Sequence, residues 1–210
     1  MIVKVKDGIA YQEDRTKSVK YDTKYYNKLE KYKENEEMFH AINEFRMELV
    51  QDKIHMYDVL DIGCGNCSFI EYYNDYTYET KSIAYGYDIM PKSVEKLDIL
   101  GRFITPYDKI PGSISGFTFW DSLEHIPEPQ KLLERLPYNT YTFISMPIFS
   151  NVKNLEISKH YRPNEHYWYF TEKGLKKWMA KQDFNCLDVL PDEAKLGRED
   201  IKTFVFKKEK

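Results

Sequence analysis

The stretch Asp58-Val-Leu-Asp-Ile-Gly-Cys-Gly-Asn-Cys-Ser-Phe-Ile70 carries the signals of a buried strand, a glycine turn and a helix start. The apolar residues among 58–62 predict a short buried strand, and a helix is expected from about 67 to 75. Glycines at 63 and 65 let the backbone pass close to a ligand, and the first N–H groups of a helix are free to bind one. Asp61 would repel a pyrophosphate but attract a cation. The stretch therefore predicts a nucleotide-type loop for a positively charged ligand.

The remaining chain alternates strands and helices, which predicts an open, mostly parallel α/β sheet. One or two amphipathic helices are expected within 21–52, and an irregular insertion within 148–170. Residues 1–20 are expected to form an arm or a small edge strand around Ile2, Val3 and Val5. The last two strands are expected to pair antiparallel. Strands are predicted at 58–62, 82–88, 102–105, 116–120, 141–146, 185–190 and 203–206, and further helices from Pro91, at 128–136 and after an N-cap at Thr171.

Length, charge and cysteine content narrow the class of protein. The 210 residues suit one domain with a helical extension, and the net charge of −3 gives no global basic field, so a nucleic-acid partner is not expected. The three cysteines cannot all pair, which favours a reducing cytoplasm. No signal peptide and no membrane span are expected. The oligomeric state cannot be read from the sequence.

An adenosine-containing ligand is indicated by the end of the second strand. Asp88 lies 23 residues after Gly65 and is placed to accept the two ribose hydroxyls, while Ile89 can pack on the adenine. A dinucleotide fingerprint would have its third glycine where this chain has Ser68. That substitution, together with Asp61, disfavours a nicotinamide oxidoreductase.

Four motifs follow one another along the chain. They are Val59-Leu-Asp-Ile-Gly-Cys-Gly65 with Tyr87-Asp88, Phe119-Trp-Asp-Ser-Leu-Glu-His125, the stretch from His160 to Leu175, and the stretch from Gly197 to Phe206. Together they resemble the class I S-adenosylmethionine-dependent methyltransferases, and the similarity is greatest to the small-molecule group related to the ubiquinone-biosynthesis O-methyltransferases. That family's loop commonly has a third glycine where this chain has Cys67.

The resemblance implies a Rossmann-like, seven-stranded, mostly parallel sheet with flanking helices and an antiparallel last strand. Residues 1–52 would form an N-terminal arm and helical lid, and 53–210 the methyltransferase domain. The cofactor would be S-adenosyl-L-methionine. Its binding residues would be Asp61 near the amino group, Gly63, Cys64 and Gly65 along the methionine part, Asp88 on the ribose, Ile89, Tyr107 and Asp108 around the adenine, and Asp121 facing the sulfonium.

The expected reaction is methyl transfer to a small-molecule or sugar-type acceptor, at oxygen. His125 and His166 are the candidate catalytic bases because imidazole titrates near neutrality, and His160 is third. No metal is expected: His160, Glu165 and His166 match no standard zinc spacing, and the Cys64-x-x-Cys67 pair has no second pair.

Two other functions stay open. One is a nucleic-acid or protein methyltransferase, although the Pro-Pro-aromatic motif of the amino-methylating enzymes is replaced here by Asp121-Ser-Leu-Glu. The other is a non-catalytic S-adenosylmethionine-binding module. The N-terminal tyrosines are expected to cover the cofactor and to line the acceptor pocket in part.

Overall fold

A computed structural model of the protein describes residues 4–12 and 19–210. Its strands are β1 Lys4–Lys6, β2 Ile9–Tyr11, β3 Asp58–Ile62, β4 Ala84–Tyr87, β5 Ile114–Trp120, β6 Tyr141–Pro147, β7 Trp168–Phe170, β8 Phe184–Leu190 and β9 Ile201–Lys208. Its α-helices are α1 Thr23–Glu30, α2 Glu36–Ile54, α3 Ser68–Tyr76, α4 Pro91–Leu100, α5 Pro129–Arg135, α6 Glu172–Ala180 and α7 Asp192–Lys195. Short 3₁₀ turns lie at Lys31–Glu34, Leu123–His125 and Leu155–Ile157.

The larger sheet has the strand order β4-β3-β5-β6-β9-β8. Strands β3 to β6 run parallel, because each is joined to the next by a crossover segment that returns the chain to the same end. Strand β9 runs antiparallel to both β6 and β8. The predicted fold class, an α/β sheet that is mostly parallel with an antiparallel strand near its edge, is confirmed.

The seventh strand of the expected sheet is reduced to one position. Phe103 forms an isolated parallel bridge with Gly86 at the free edge of β4. The expected strand 102–105 cannot lengthen because it lies between Gly101, which ends α4 with a φ of 63°, and Pro106, which lacks a backbone donor.

The strand register brings the important loops together. Asp61 pairs with Gly86 on one side and with Thr118 on the other. The loop that follows β3 therefore lies between the carboxyl ends of β4 and β5. Ligands bind at this edge in open α/β sheets.

The N-terminal helices begin at side-chain caps, as their sequence predicts. Asp22 accepts hydrogen bonds from the backbone of Lys24 and Tyr25 at 3.0 and 3.1 Å, and α1 follows. Helix α2 runs beyond the expected boundary at residue 52, and its residues Val50 and Ile54 are buried in the core against the sheet. Its C-terminal half is thus part of the main core, while its N-terminal half and α1 extend over the edge where the ligand loops lie.

A second, smaller sheet has the order β1-β2-β7 and is antiparallel. The insertion 148–170 was expected to be irregular, but it ends in β7, which pairs with β2 from the other end of the chain. A strand of three residues whose partner lies more than 150 residues away leaves no local pattern in the sequence. The edge strand expected at 1–20 begins at Lys4, and Ile2 and Val3 lie outside the described residues.

None of the helices in residues 4–12 and 19–210 has both the length and the hydropathy that a membrane span requires.

Candidate functional site

A cavity of about 650 Å³ lies at the carboxyl ends of β3, β4 and β5. The loops after these strands form its floor, helix α1 and the first half of α2 cover it, and the segment between β6 and β7 closes one side. A cavity of this size is within the range of about 300–1,000 Å³ that is usual for small-molecule sites.

The glycine loop after β3 needs glycine at its first position. Gly63 has a φ of +77°, and a Cβ placed there would lie 2.5 Å from Cβ of Ser122. Ser122 is itself fixed, because its hydroxyl donates to the carbonyl of Ile62 at 2.5 Å. The close approach of these two strand ends therefore excludes any side chain at position 63.

Cys67 occupies the position where the resembling family has its third glycine. It has a φ of 65° in the left-handed region and serves as N-cap of α3 without a side-chain hydrogen bond. Its sulfur is 3.8 Å from that of Cys64, and both side chains are buried. The hydrogen bond with Cys67 and burial raise the pKa of Cys64, so the Cys64 thiol stays protonated at neutral pH.

Asp88 fixes the shape of the loop. One of its carboxylate oxygens accepts the N–H of Gly65 at 2.8 Å, and the other accepts the N–H of Met90 at 2.8 Å. Each carboxylate oxygen has a second lone pair that can still accept a ligand hydroxyl. Burial raises the pKa of Asp88, although these backbone donors oppose the shift.

Asp61 lies inside the cavity and accepts the hydroxyl proton of Thr118 at 2.7 Å. Burial raises the pKa of Asp61 to about 7, against the opposing effects of Thr118 and of the Arg46 charge. Asp61 is therefore about half ionised at neutral pH, and a cation bound beside it would favour the ionised form.

Asp121 is held by a buried cluster of charges. Its carboxylate accepts from Arg198 at 2.6 Å and lies 3.5 Å from Arg46. Both arginines also bind Glu193, which is fully buried and accepts two hydrogen bonds from Arg46, at 2.9 and 3.0 Å, and one from Ser145 at 2.7 Å. Burial would raise the pKa of Glu193, but the two guanidinium groups outweigh it and lower this pKa to about 2.

The predicted histidines lie together at the far side of the cavity. The rings of His125 and His166 are 4.7 Å apart and nearly perpendicular. Nδ1 of His125 shares a hydrogen bond of 3.1 Å with the hydroxyl of Tyr21, which precedes α1. Burial lowers the pKa of His125 to about 4, so its ring is neutral at physiological pH.

Glu124 lies close to these two histidines. Its side chain is only 1 % exposed. Burial, followed by the negative charge of Asp121, raises its pKa to about 8. Candidate metal-ligand atoms of Glu124, His125 and His166 all lie within 4.8 Å of one another.

Of the other residues predicted for the site, some line the cavity and others do not. Ile89 and Tyr107 line the cavity near Asp88 although their side chains are largely exposed. Asp108 is exposed and does not line the cavity. His160 does line it, but its Nε2 lies 2.9 Å from the carbonyl of Glu199, away from the histidine pair.

Sequence reasoning missed Arg46 and Glu193, and it assigned no role to Arg198. Arg198 falls in one of the resembling motifs, which is the signal that could have identified it. Arg46 and Glu193 are 147 residues apart, and nothing local marks either as buried.

Most of the site, from the glycine loop to the histidine pair, lies in the part of the chain that a known family matches. A family model described as "Methyltransferase domain" matches residues 31–189, which is most of the chain and includes every predicted cofactor residue. None of the curated protein sequences matches the chain.

Solved structures share the fold at low identity. A SAM-dependent methyltransferase from Aquifex aeolicus superposes with a TM-score of 0.62 at 16% identity, over 87% of this chain and 98% of its own. The Burkholderia thailandensis 1,6-didemethyltoxoflavin-N1-methyltransferase was solved with 1,6-didemethyltoxoflavin and S-adenosylhomocysteine. It superposes with a TM-score of 0.60 at 15% identity, over 100% of this chain and 99% of its own. The mitomycin 7-O-methyltransferase gives 0.55 at 12% identity over 72% of this chain and 49% of its own.

These findings agree with the predicted enzyme class and with S-adenosylmethionine as the cofactor. The family match spans the glycine loop, both acidic strand ends and the histidine that follows the second of them. The chain belongs to the methyltransferase-domain family.

Proposed function

We propose that this enzyme transfers the methyl group of S-adenosylmethionine to an oxygen atom of a small molecule. The observation that carries the proposal is the continuous cavity, which runs from the glycine loop to the histidine pair under the tyrosine-bearing lid. One end has the groups that suit a nucleoside with a cationic side chain. The other end offers aromatic rings and neutral imidazoles to an acceptor.

At the cofactor end, Asp88 would bind the ribose hydroxyls with the lone pairs that the loop backbone leaves unused. Ile89 and Tyr107 would flank the adenine, with Asp108 at its exposed rim. The backbone of Gly63, Cys64 and Gly65 would follow the methionine part, and Asp61 would face its ammonium group. Asp121 would face the sulfonium, with its charge partly balanced by Arg198 and Arg46.

S-adenosylmethionine supplies a methyl group activated by a positively charged sulfur. The chain then has to hold the acceptor oxygen in line with that methyl, exclude water and accept the hydroxyl proton. His125 and His166 are placed for the proton. With a pKa of about 4, His125 is a weak base and is better suited to accept a hydrogen bond from the acceptor hydroxyl. We therefore propose His166 as the general base if a side chain removes the hydroxyl proton.

The nature of the acceptor is the least constrained part of the proposal. The resemblance to the ubiquinone-related O-methyltransferases supports oxygen, whereas the toxoflavin enzyme named above methylates a nitrogen. The N-terminal segment also favours a small acceptor, because its Tyr21, Tyr25 and Tyr32 all line the cavity. A nucleic-acid or protein acceptor is the alternative, and the net charge of −3 does not favour the first of these.

Ligand-dependent stability tests the cofactor. At about one hundred times its dissociation constant, S-adenosylhomocysteine adds roughly 2.7 kcal/mol to the free energy of unfolding. In a chain of this size that raises the melting temperature by roughly 5–10 °C. Asp88→Asn should lose most of the rise, and Asp98→Asn, on the exposed face of α4, should keep it. A shift with NAD and none with S-adenosylhomocysteine would refute the assignment.

The acceptor is then found by incubating the enzyme and labelled S-adenosylmethionine with a cell extract from which macromolecules have been removed. A labelled compound of low molecular mass is expected. Label that appears only when nucleic acid or protein is restored would overturn the small-molecule part of the proposal.

A further inference from the structure

We propose that Glu124, His125 and His166 bind a divalent transition-metal ion, preferably Zn²⁺, and that this ion takes up the acceptor hydroxyl. This replaces the expectation from the sequence that the site holds no metal. Binding of the ion is independent of the proposed function, whereas its role in methyl transfer rests on it.

The first argument is the donor set. One carboxylate oxygen and two imidazole nitrogens converge within 4.8 Å of one another at the wall of the cavity. Two atoms bound to the same zinc at about 2.0–2.2 Å lie at most about 4.4 Å apart, so small side-chain rotations complete the site. Three protein ligands leave at least one position open for an acceptor, as in zinc sites built from two histidines and a glutamate.

The second argument is a buried oxygen with no partner. Oε2 of Glu124 is completely buried and makes no hydrogen bond to any of the described residues. A buried oxygen left in this way is costly, and nearly all buried polar atoms in proteins are satisfied. The same side chain lines the cavity, so a cation bound there would satisfy it.

The surroundings support a cation. The hydroxyl of Tyr21 shares a hydrogen bond with Nδ1 of His125, and outer hydrogen bonds of this kind orient an imidazole that binds a metal. The nearby guanidinium groups do not oppose an ion strongly, because Arg162 is paired with Glu165 at 3.1 Å and Arg198 with Asp121 and Glu193. Two nitrogen donors argue against Mg²⁺ and Ca²⁺, which prefer oxygen ligands throughout.

The ion would change how the acceptor is activated. A hydroxyl bound to the ion ionises more readily and releases its proton to solvent. Its oxygen then forms a bond to the methyl carbon while the carbon–sulfur bond breaks, and the positive sulfonium becomes a neutral thioether. Neither histidine is needed as a base in this case. Acceptors with two adjacent oxygens, such as a vicinal diol, a catechol or a hydroxy acid, would fit best, because they can chelate the ion.

Zinc binding to the whole chain tests the proposal directly. The purified protein is stripped with a chelator and titrated with ZnCl₂ by calorimetry, with MgCl₂ in a parallel titration. One zinc per chain is expected, with magnesium binding far more weakly. Glu124→Gln and His166→Gln should each weaken zinc binding by more than about 100-fold, since even the loss of an outer hydrogen bond costs 10–100-fold.

Two control variants separate this site from other zinc-binding groups. His40→Gln removes an exposed histidine on α2 and should leave the affinity unchanged. Cys64→Ser removes a thiol of the loop pair and should also leave it unchanged. Wild-type protein that binds no zinc, or zinc binding that survives Glu124→Gln and is lost in Cys64→Ser, would overturn the proposal.

Binding of S-adenosylhomocysteine, measured on the same samples, keeps the two proposals apart. Residue 124 makes no contact with the glycine loop. The Glu124→Gln variant should therefore bind S-adenosylhomocysteine with an affinity within about threefold of wild type, and this binding would also show that the variant is folded. If wild type binds zinc but not S-adenosylhomocysteine, the proposed function fails and the metal site stands. If it binds S-adenosylhomocysteine but not zinc, only the metal site fails.

Discussion

Replacing Glu193 by glutamine should destabilise the protein strongly, although the residue lies outside the cavity. Glu193 is fully buried between Arg46 and Arg198 and also accepts from Ser145. Glutamine keeps the shape of the side chain but removes the charge that balances two buried guanidinium groups. Such groups cannot easily lose their proton, so the cost appears in the free energy of unfolding.

Two estimates give a similar size for the unfolding free energy that Glu193→Gln should lose. Removing one partner of a buried ion pair typically costs about 3–5 kcal/mol. The pKa of Glu193 falls from 4.5 to about 2 on folding, which corresponds to roughly 3 kcal/mol of unfolding free energy. Since the pKa is lowered in the folded chain, this stabilisation is complete above pH 4.5 and is lost as the pH falls towards 2.

Urea unfolding measured at pH 7 and pH 3 tests this, because urea does not screen charge. At pH 7, Glu193→Gln should lose about 3 kcal/mol, which corresponds to roughly 6–12 °C in melting temperature. At pH 3 the gap between variant and wild type should be less than half as large. Glu199→Gln, on the exposed side of the same segment, is the matched control and should resemble wild type. A loss below about 1 kcal/mol at pH 7, or a gap that does not change with pH, would refute the reasoning.

Three further outcomes are expected. Gly63→Ala should abolish the S-adenosylhomocysteine melting shift, because its Cβ would lie 2.5 Å from Ser122; an unchanged shift would contradict the loop geometry. Burial raises the pKa of Asp61 to about 7. Calorimetry should therefore show that wild type binds S-adenosylmethionine more tightly at pH 8 than at pH 6, whereas Asp61→Asn should show no such change. Over the same rise in pH, the unliganded wild type should lose unfolding free energy, because the folded chain holds its proton more tightly than the unfolded chain. Tyr21→Phe removes the hydrogen bond at His125 and should weaken zinc binding about tenfold; equal affinity would remove Tyr21 from the site.

The geometry of the loop that we propose for the cofactor could be predicted from the sequence because its signals are local. Asp61, Gly63 and Gly65 lie within five residues, and the structure brings Asp88 to the loop at the distance of a hydrogen bond. Both φ values of these glycines are positive, which is the reason glycine stands there. Strand ends and tight turns have composition rules that a single sequence displays.

The acceptor end could not be predicted in the same way. The contacts of Arg46 with Glu193, and of β2 with β7, join segments about 150 residues apart, so no periodicity reveals them. Nothing local in the sequence marks Glu124 as buried, because its burial depends on the insertion folding over it. The backbone N–H of Tyr167 donates to the Glu124 carbonyl at 2.8 Å.

The contacts of Asp121 link the geometry of the two ends of the cavity. Asp121 follows β5 with a φ of 54°, a conformation that a non-glycine residue keeps only when its surroundings hold it. Those surroundings are Arg46 from α2, which carries the lid, and Arg198 from the segment before β9. The lid helix therefore sets the position of a carboxylate that we place beside the sulfonium, while Tyr21 before α1 reaches His125 on the same turn after β5. The geometry of both ends of the cavity therefore depends on the N-terminal segment, through Arg46 at one end and Tyr21 at the other.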